Sequence, residues 1–271
     1  MERTNFILLG IIVGLAGLAG TVHGAALPLD KHFKNSTDIN FGTALLGFYK
    51  AIQKVMPCGY PPMDLPVLAP FTMEFLPLNL SSEYLTLQGN ISNIEITGLN
   101  NFRFIKFNYD EQTNRTSYDI IFPEQQVLAE YLLDTWALLA GFPIKAVGQG
   151  LLNLKLIDMR IVGHFTLAPS GLNSQGLRIT DFNLHFHLGD VVTNNWNDLL
   201  DISMNNFINR WESEFILMWT QQIQVDIVDK IYAPLLLPQI NDVLANLTMN
   251  QLISFFENQS EEINMVNCTL P

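Results

Sequence analysis

The chain has 271 residues, 48% of them hydrophobic and 15% charged, with 18 Phe and a mean hydropathy of +0.20. Its 14 basic and 26 acidic residues leave a net charge of -12, which repels phosphate backbones and anionic headgroups and argues against nucleic acid or electrostatic membrane docking as partners. So apolar a chain must bury a large core or line an apolar cavity, because the same side chains left exposed would aggregate.

The first element is an apolar or glycine run from Phe6 to Ala19, preceded by Arg3 and followed by Val22, Gly24 and Ala26. The run is shorter than the roughly 18 apolar residues of a spanning helix. Its flanks suit a signal peptide over residues 1–25, cut after Gly24 or Ala26; the alternative is an uncleaved anchor. No later stretch approaches spanning length, so the exported chain is expected to be extracellular, without stable membrane insertion. Seven Asn-x-Ser/Thr sequons, at Asn35, Asn79, Asn90, Asn114, Asn246, Asn258 and Asn267, are then candidate glycosylation sites. Two cysteines, Cys58 and Cys268, either form a bridge closing nearly the whole mature chain or leave Cys268 unpaired in a tail.

Residues 26–40, polar with Pro28, read as a flexible lead-in. Phe41, Leu45, Phe48, Ile52 and Val55 recur at spacings of three and four, which predicts a short helix ended by Pro57, Gly59, Pro61 and Pro62. Cys58 to Pro77 reads as extended and proline-rich. From Leu85 to Leu188 the apolar period becomes two. Ile94, Ile96, Phe102 and Phe104 share a parity around a turn at Gly98 to Asn101, and Tyr118, Ile120 and Phe122 form a further alternating run. Leu152, Leu154 and Leu156 have one parity, while Met159, Ile161, Phe165 and Leu167 have the other. The same slip separates Leu177 and Ile179 from Phe182, Leu184, Phe186 and Leu188. One inserted residue flips every later side chain, so bulges are predicted near Ile157–Asp158 and Thr180–Asp181, bending the sheet so that it can wrap around something.

Met204, Ile208, Trp211, Phe215, Trp219, Ile223, Ile227 and Ile231 repeat every three or four residues, with no Gly or Pro from Asp190 to Ala233. This predicts one long helix, stopped by Pro234 and buried over a broad arc widened by Phe207, Ile216 and Met218. A Thr-x-x-Gln capping box at Thr248 opens a last helix to Glu257, and residues 258–271 read as a polar tail. The expected architecture is a single α+β domain over 41–257: a short N-terminal helix and a long, highly curved antiparallel sheet wrapped around one long C-terminal helix.

Cys58 to Pro70 (Cys-Gly-Tyr-Pro-Pro-Met-Asp-Leu-Pro-Val-Leu-Ala-Pro), Ile96 to Leu99 (Ile-Thr-Gly-Leu) and Asn205 to Trp211 (Asn-Asn-Phe-Ile-Asn-Arg-Trp) resemble the insect haemolymph juvenile-hormone-binding and takeout-like proteins, over about Phe41 to Phe256. That resemblance implies the tubular lipid-binding fold, with an apolar tunnel for terpenoid hormones, fatty acids or similar lipids. It also implies tunnel-lining residues on the segments that carry Leu45, Phe48, Trp136, Leu152, Leu154, Phe165, Trp211 and Phe215. The chain departs from the family in having no cysteine between Leu27 and Pro57, where a pair ties down the N-terminal arm.

Motifs for covalent chemistry are weak. His185 and His187 share a strand face, but no third ligand accompanies them, so a metal is not expected. Gly148-Gln149-Gly150 is too short for a dinucleotide loop and is read as preceding a strand. Pro169-Ser170-Gly171 is a turn by composition rather than a nucleophile elbow, and Cys58 has no basic neighbour to activate it. The expected function is therefore a secreted, non-enzymatic carrier of a small hydrophobic ligand, without cofactor. The alternatives are a secreted interaction or defence protein that binds microbial lipid or a receptor, and a secreted lipid esterase.

Overall fold

The computed structural model describes residues 40–81, 85–139, 142–171, 175–195, 202–229 and 233–268. The expected signal segment, most of the lead-in and Asn35 lie outside them. The order is α1 (Phe41–Val55), β1 (Phe71–Ser81), β2 (Leu85–Thr97), β3 (Arg103–Asp110), β4 (Arg115–Leu139), β5 (Phe142–Pro169), β6 (Leu177–His187), β7 (Asp190–Thr193), α2 (Ile202–Ile227), α3 (Ala233–Leu244) and α4 (Met249–Asn264). The α+β class holds. Among the described residues the strands form one antiparallel sheet with the path β1-β2-β4-β5-β6, to which β3 adds along β4 and β7 along β5.

Asn40 caps α1, its side-chain oxygen accepting from the Thr43 N–H at 2.9 Å. Gln53 ties the helix to the next turn by donating to the carbonyls of Asn100 and Phe102 at 2.7 Å. In that turn Gly98 has φ +84, and a Cβ there would stand 2.3 Å from the Glu124 carbonyl, so only glycine fits.

The sheet is bent at several rows. At the predicted slip near Thr180, Asp181 has φ +48 and the β5–β6 register shifts between His164 and Thr166, which is a bulge. At the other predicted site the parity does flip, and Asp158 has φ +51, yet the register is unbroken: Phe122 pairs with Met159 and Glu124 with Ile157. No residue is inserted, because β4 flips in step. Tyr118, Ile120 and Phe122 are buried before Pro123, whereas Gln125 and Ala129 are buried after it. β2 has its own bulge between Ser92 and Glu95, with Asn93 at φ +51.

This row divides the sheet into two halves. In the core half, β3, the start of β4, the end of β5 and β6 close over α1, α3 and α4 through one cluster that includes Phe48, Ile161, Phe165, Ile240, Leu252 and Phe256. Phe48 and Phe256 rings lie 5.0 Å apart. The Asn241 side chain accepts from the Ile179 N–H at 2.6 Å, holding α3 on β6. The other half is an arm made of most of β1 and β2, the end of β4 and the start of β5; only the Phe71–Ile96 end of the β1–β2 pair reaches the core.

The long helix expected over the Met204 to Ile231 repeat is observed in part, and the Gly- and Pro-free run that begins at Asp190 opens with a strand. Val191, Val192 and Thr193 are β-branched and pair with β5 as β7. α2 has 26 residues, about 39 Å at 1.5 Å per residue. Pro234 does not stop a helix but stands in the first turn of α3, where its missing N–H removes no hydrogen bond. The expected broad burial of the long helix is also overturned, since Phe207, Trp211 and Met218 are exposed. The side chains of Met204, Trp219, Ile223 and Ile227, and all of Ile231, lie outside the described residues. α4 carries the predicted capping box but runs on to Asn264, so the tail read as polar from 258 begins as helix. Beyond that helix Cys268 is bridged to Cys58 with Cα atoms 5.9 Å apart, joining the ends of α1 and α4.

Candidate functional site

The arm offers two faces, and register assigns each side chain to one of them. On the inner face Val127, Ala129 and Tyr131 stand opposite Leu154, Leu152 and Gly150, and Leu133 stands opposite Gly148. Ile91 and Gly89 continue these rows on β2, and Leu76 and Leu78 on β1. Apart from Ala129, which is buried, the apolar side chains of this face are half-buried, so it is a trough rather than a packed interior. Of the two β5 glycines, Gly148 leaves the floor bare, since a Cβ there would meet nothing nearer than the Tyr131 ring at 3.9 Å. The Tyr131 side chain instead lies over Gly150, its hydroxyl 3.2 Å from where a Cβ would stand.

At the end of the trough nearest the core stands Gln125, only 2% exposed and paired across to Leu156. Its amide nitrogen has no hydrogen-bond acceptor among the described residues. A buried donor without a partner favours an acceptor brought by a ligand. Tyr118, on the core side of the flip, has its hydroxyl buried in the same condition, and burial pushes its ionisation well above the ordinary tyrosine range.

α2 flanks β7 through polar contacts. The Thr193 N–H donates to Ser213 Oγ at 3.1 Å, Thr193 Oγ1 to the Asn209 carbonyl at 2.8 Å, and Asn195 to Glu212 at 2.9 Å. At 100° per residue, Phe207, Trp211, Phe215 and Met218 fall on the helix side away from Asn209 and Ser213. Trp211 and Phe215 stack at 5.6 Å, and Trp211 is 60% exposed.

The eight candidate lining residues are therefore not brought together. Leu45, Phe48 and Phe165 are packed into the core half and line no trough. Leu152 and Leu154 are on the trough's inner face. Trp136 pairs with Thr86 and Lys145, on the outer face, because its parity is that of Leu132 rather than Leu133. Trp211 and Phe215 belong to the outward stripe of α2. Gln125, Tyr131 and Leu133 were missed; the alternation Gln125, Val127, Ala129, Tyr131, Leu133 was the signal that points to them.

The outer face holds an open cleft of about 400 Å³, lined by Asn90, Ser92, Glu130, Leu132, Gln149 and Leu151, with Tyr131 and Gly150 in its floor. Its walls are mixed polar and apolar. His185 and His187 are exposed, on the face of β6 opposite buried Leu184. His164 instead reaches Asp181 at 3.5 Å. Gly148-Gln149-Gly150 lies within β5 and not before a strand. Among the described residues no three His, Cys, Asp or Glu side chains are grouped to hold a metal ion, and no helix is long and apolar enough to cross a membrane.

What the geometry defines is an apolar, sheet-built surface suited to non-covalent contact. The chain belongs to the haemolymph juvenile hormone binding protein family, whose sequence model matches residues 11–254. Among solved structures it is similar to Takeout 1 of Epiphyas postvittana, with 15% identity and a TM-score of 0.48 over 78% of this chain and 95% of that one. No curated protein matches it.

Proposed function

We propose that the protein is a secreted, non-enzymatic carrier of a small hydrophobic ligand, a terpenoid, a fatty acid or a similar lipid. Membership of a family named for binding juvenile hormone supports the class of ligand. The observation that carries the reading is the inner face of the arm, which keeps an apolar register from Val127 to Leu133 against Leu154 to Gly148 and yet is largely half-buried. Transfer of apolar surface drives association: a ligand burying ~400 Å² gains about 10 kcal/mol before the entropic costs of binding. Gln125 at the closed end donates to a carbonyl, ester or hydroxyl oxygen and fixes which end of the ligand enters first. Export rests on the apolar segment from Phe6 to Ala19 and on the bridge between Cys58 and Cys268, a bond that persists in oxidising compartments.

Native mass spectrometry of the chain secreted from eukaryotic cells, followed by organic extraction, is expected to recover lipid in a 1:1 ratio. Leu152→Glu places a charge in the trough and is expected to weaken a fluorescent fatty-acid or terpenoid probe at least tenfold. Preparations that are repeatedly empty and refuse both probes defeat the proposal. The exposed stripe Phe207, Trp211 and Met218 favours a second reading, a secreted interaction protein that docks through α2. Under that reading Trp211→Glu abolishes partner capture while Leu152→Glu leaves it intact.

A further inference from the structure

The outer face of the arm gathers exposed apolar side chains and two sequons on one surface. Register places Ser92, Glu130 and Leu151 in one cross-strand row and Pro77, Asn90, Leu132 and Gln149 in the next. Asn79, Gln88, Asp134 and Val147 form the row after that. Leu132 is 50% exposed, Val147 66% and Leu151 70%. Isolated exposed aliphatic side chains are ordinary, but two leucines and a valine in adjacent rows make a patch that either binds something or invites association. Both ends of the Asn90-Ile91-Ser92 sequon line the cleft beside these leucines.

We propose that Asn79 and Asn90 are N-glycosylated and that their proximal sugars lie across the outer face of the arm, covering Leu132, Val147 and Leu151. This rests on the export reading, since the modification occurs in the secretory route. In the transfer, the Asn Nδ2 forms a bond to C1 of a lipid-pyrophosphate-linked oligosaccharide. The bond from C1 to the phosphate oxygen breaks, the lipid pyrophosphate leaves with that electron pair, and Nδ2 gives up one proton. Asn90 faces Leu132 directly across the strand pair, where Cβ atoms stand about 5 Å apart. Leu151 is one strand further, roughly 10 Å from β2, a span that two sugar rings cover. A hexosamine ring lays its C–H face on aliphatic side chains and turns its hydroxyls to water, so it hides the patch without a protein partner. Two of the other described sequons have different surroundings. Asn114 accepts from the Tyr109 hydroxyl at 2.7 Å in the turn before β4, and Asn258 neighbours buried Gln259 on α4.

The test is to secrete the full chain behind a foreign signal peptide from insect cells. Sugars are mapped by glycopeptide mass spectrometry, and side chains are footprinted with hydroxyl radicals before and after enzymatic deglycosylation of the folded protein. Occupied Asn79 and Asn90 are expected. Oxidation of Leu132 and Leu151 is expected to rise at least threefold on deglycosylation, with Trp211 on α2 unchanged as the internal control. Asn90→Gln is expected to reproduce the rise at Leu132 and Leu151, so the answer does not depend on the enzyme step. Either asparagine bare, or footprints the same with and without sugar, overturns the proposal. Retention of the native-leader chain inside cells that glycosylate the foreign-leader chain counts against export only.

Discussion

The two halves of the sheet share strands, hydrogen-bond pattern and register, yet differ in what covers them. In the core half, three helices press on the inner face, and Phe48, Ile161, Ile240 and Phe256 are wholly buried. In the arm, the same β4 and β5 have a half-buried inner face and an outer face with Leu132 and Leu151 exposed. Strand pairing thus makes a surface, and helices decide whether it becomes interior. The stability of the molecule is therefore expected to reside in the core half and its binding in the arm.

Substitutions of the same chemistry in the two halves test this division. Phe48→Ala opens a cavity under α4 and is expected to cost about 3–5 kcal/mol in denaturant unfolding. Replacing Cys58 and Cys268 together with Ser releases a loop of 210 residues separation and is expected to cost about 2–5 kcal/mol, with little effect on probe affinity in the arm. A loss of binding as large as the loss of stability would show that the halves do not act separately.

Alkali gives a third test. Buried Tyr118 resists ionisation in the folded protein, while the unfolded chain ionises near pH 10. Its contribution is therefore complete below about pH 10 and falls by up to about 1.4 kcal/mol per pH unit as pH rises from there toward the folded-state value. Tyr118→Phe is expected to remove that share of the alkaline slope, while the share of Tyr49, also raised by burial, remains. Stability at pH 7 stays nearly unchanged because the Tyr118 hydroxyl has no hydrogen-bond partner among the described residues. The smallest expected effect is Phe75→Ala on the outer face of the arm, where the ring is 52% exposed: less than about 1 kcal/mol by thermal or chemical unfolding. A cost near that of Phe48→Ala would erase the distinction.

Much of the fold was legible in residue order. The stripe from Phe41 to Val55 became α1, the capping box at Thr248 opened α4, and the parity slip at Thr180–Asp181 became a bulge. The slip at Asp158 was legible but its cause was not, because one strand's pattern cannot reveal that its neighbour flips in step at Pro123. Strand β7 was hidden in a run free of Gly and Pro, although three consecutive β-branched residues were the local sign of it. The length of α4 was visible in hindsight, since Leu252, Phe256, Gln259 and Ile263 continue one buried stripe through polar neighbours. The candidate site was least legible. Trp136, Leu152 and Leu154 are equally apolar, and only the pairing of Trp136 with Lys145 separates it from the other two.

The bridge from Cys58 to Cys268 makes a covalent ring of everything between them, with the arm lying midway round it. A protease that nicks a loop of the arm opens the ring without dividing it, and the two pieces stay joined and still share the core half. Such a cut would pass unseen on a non-reducing gel and appear only once thiol is added. A nicked, still-assembled form with an altered trough is thus a species that this topology permits and an unbridged chain would lose.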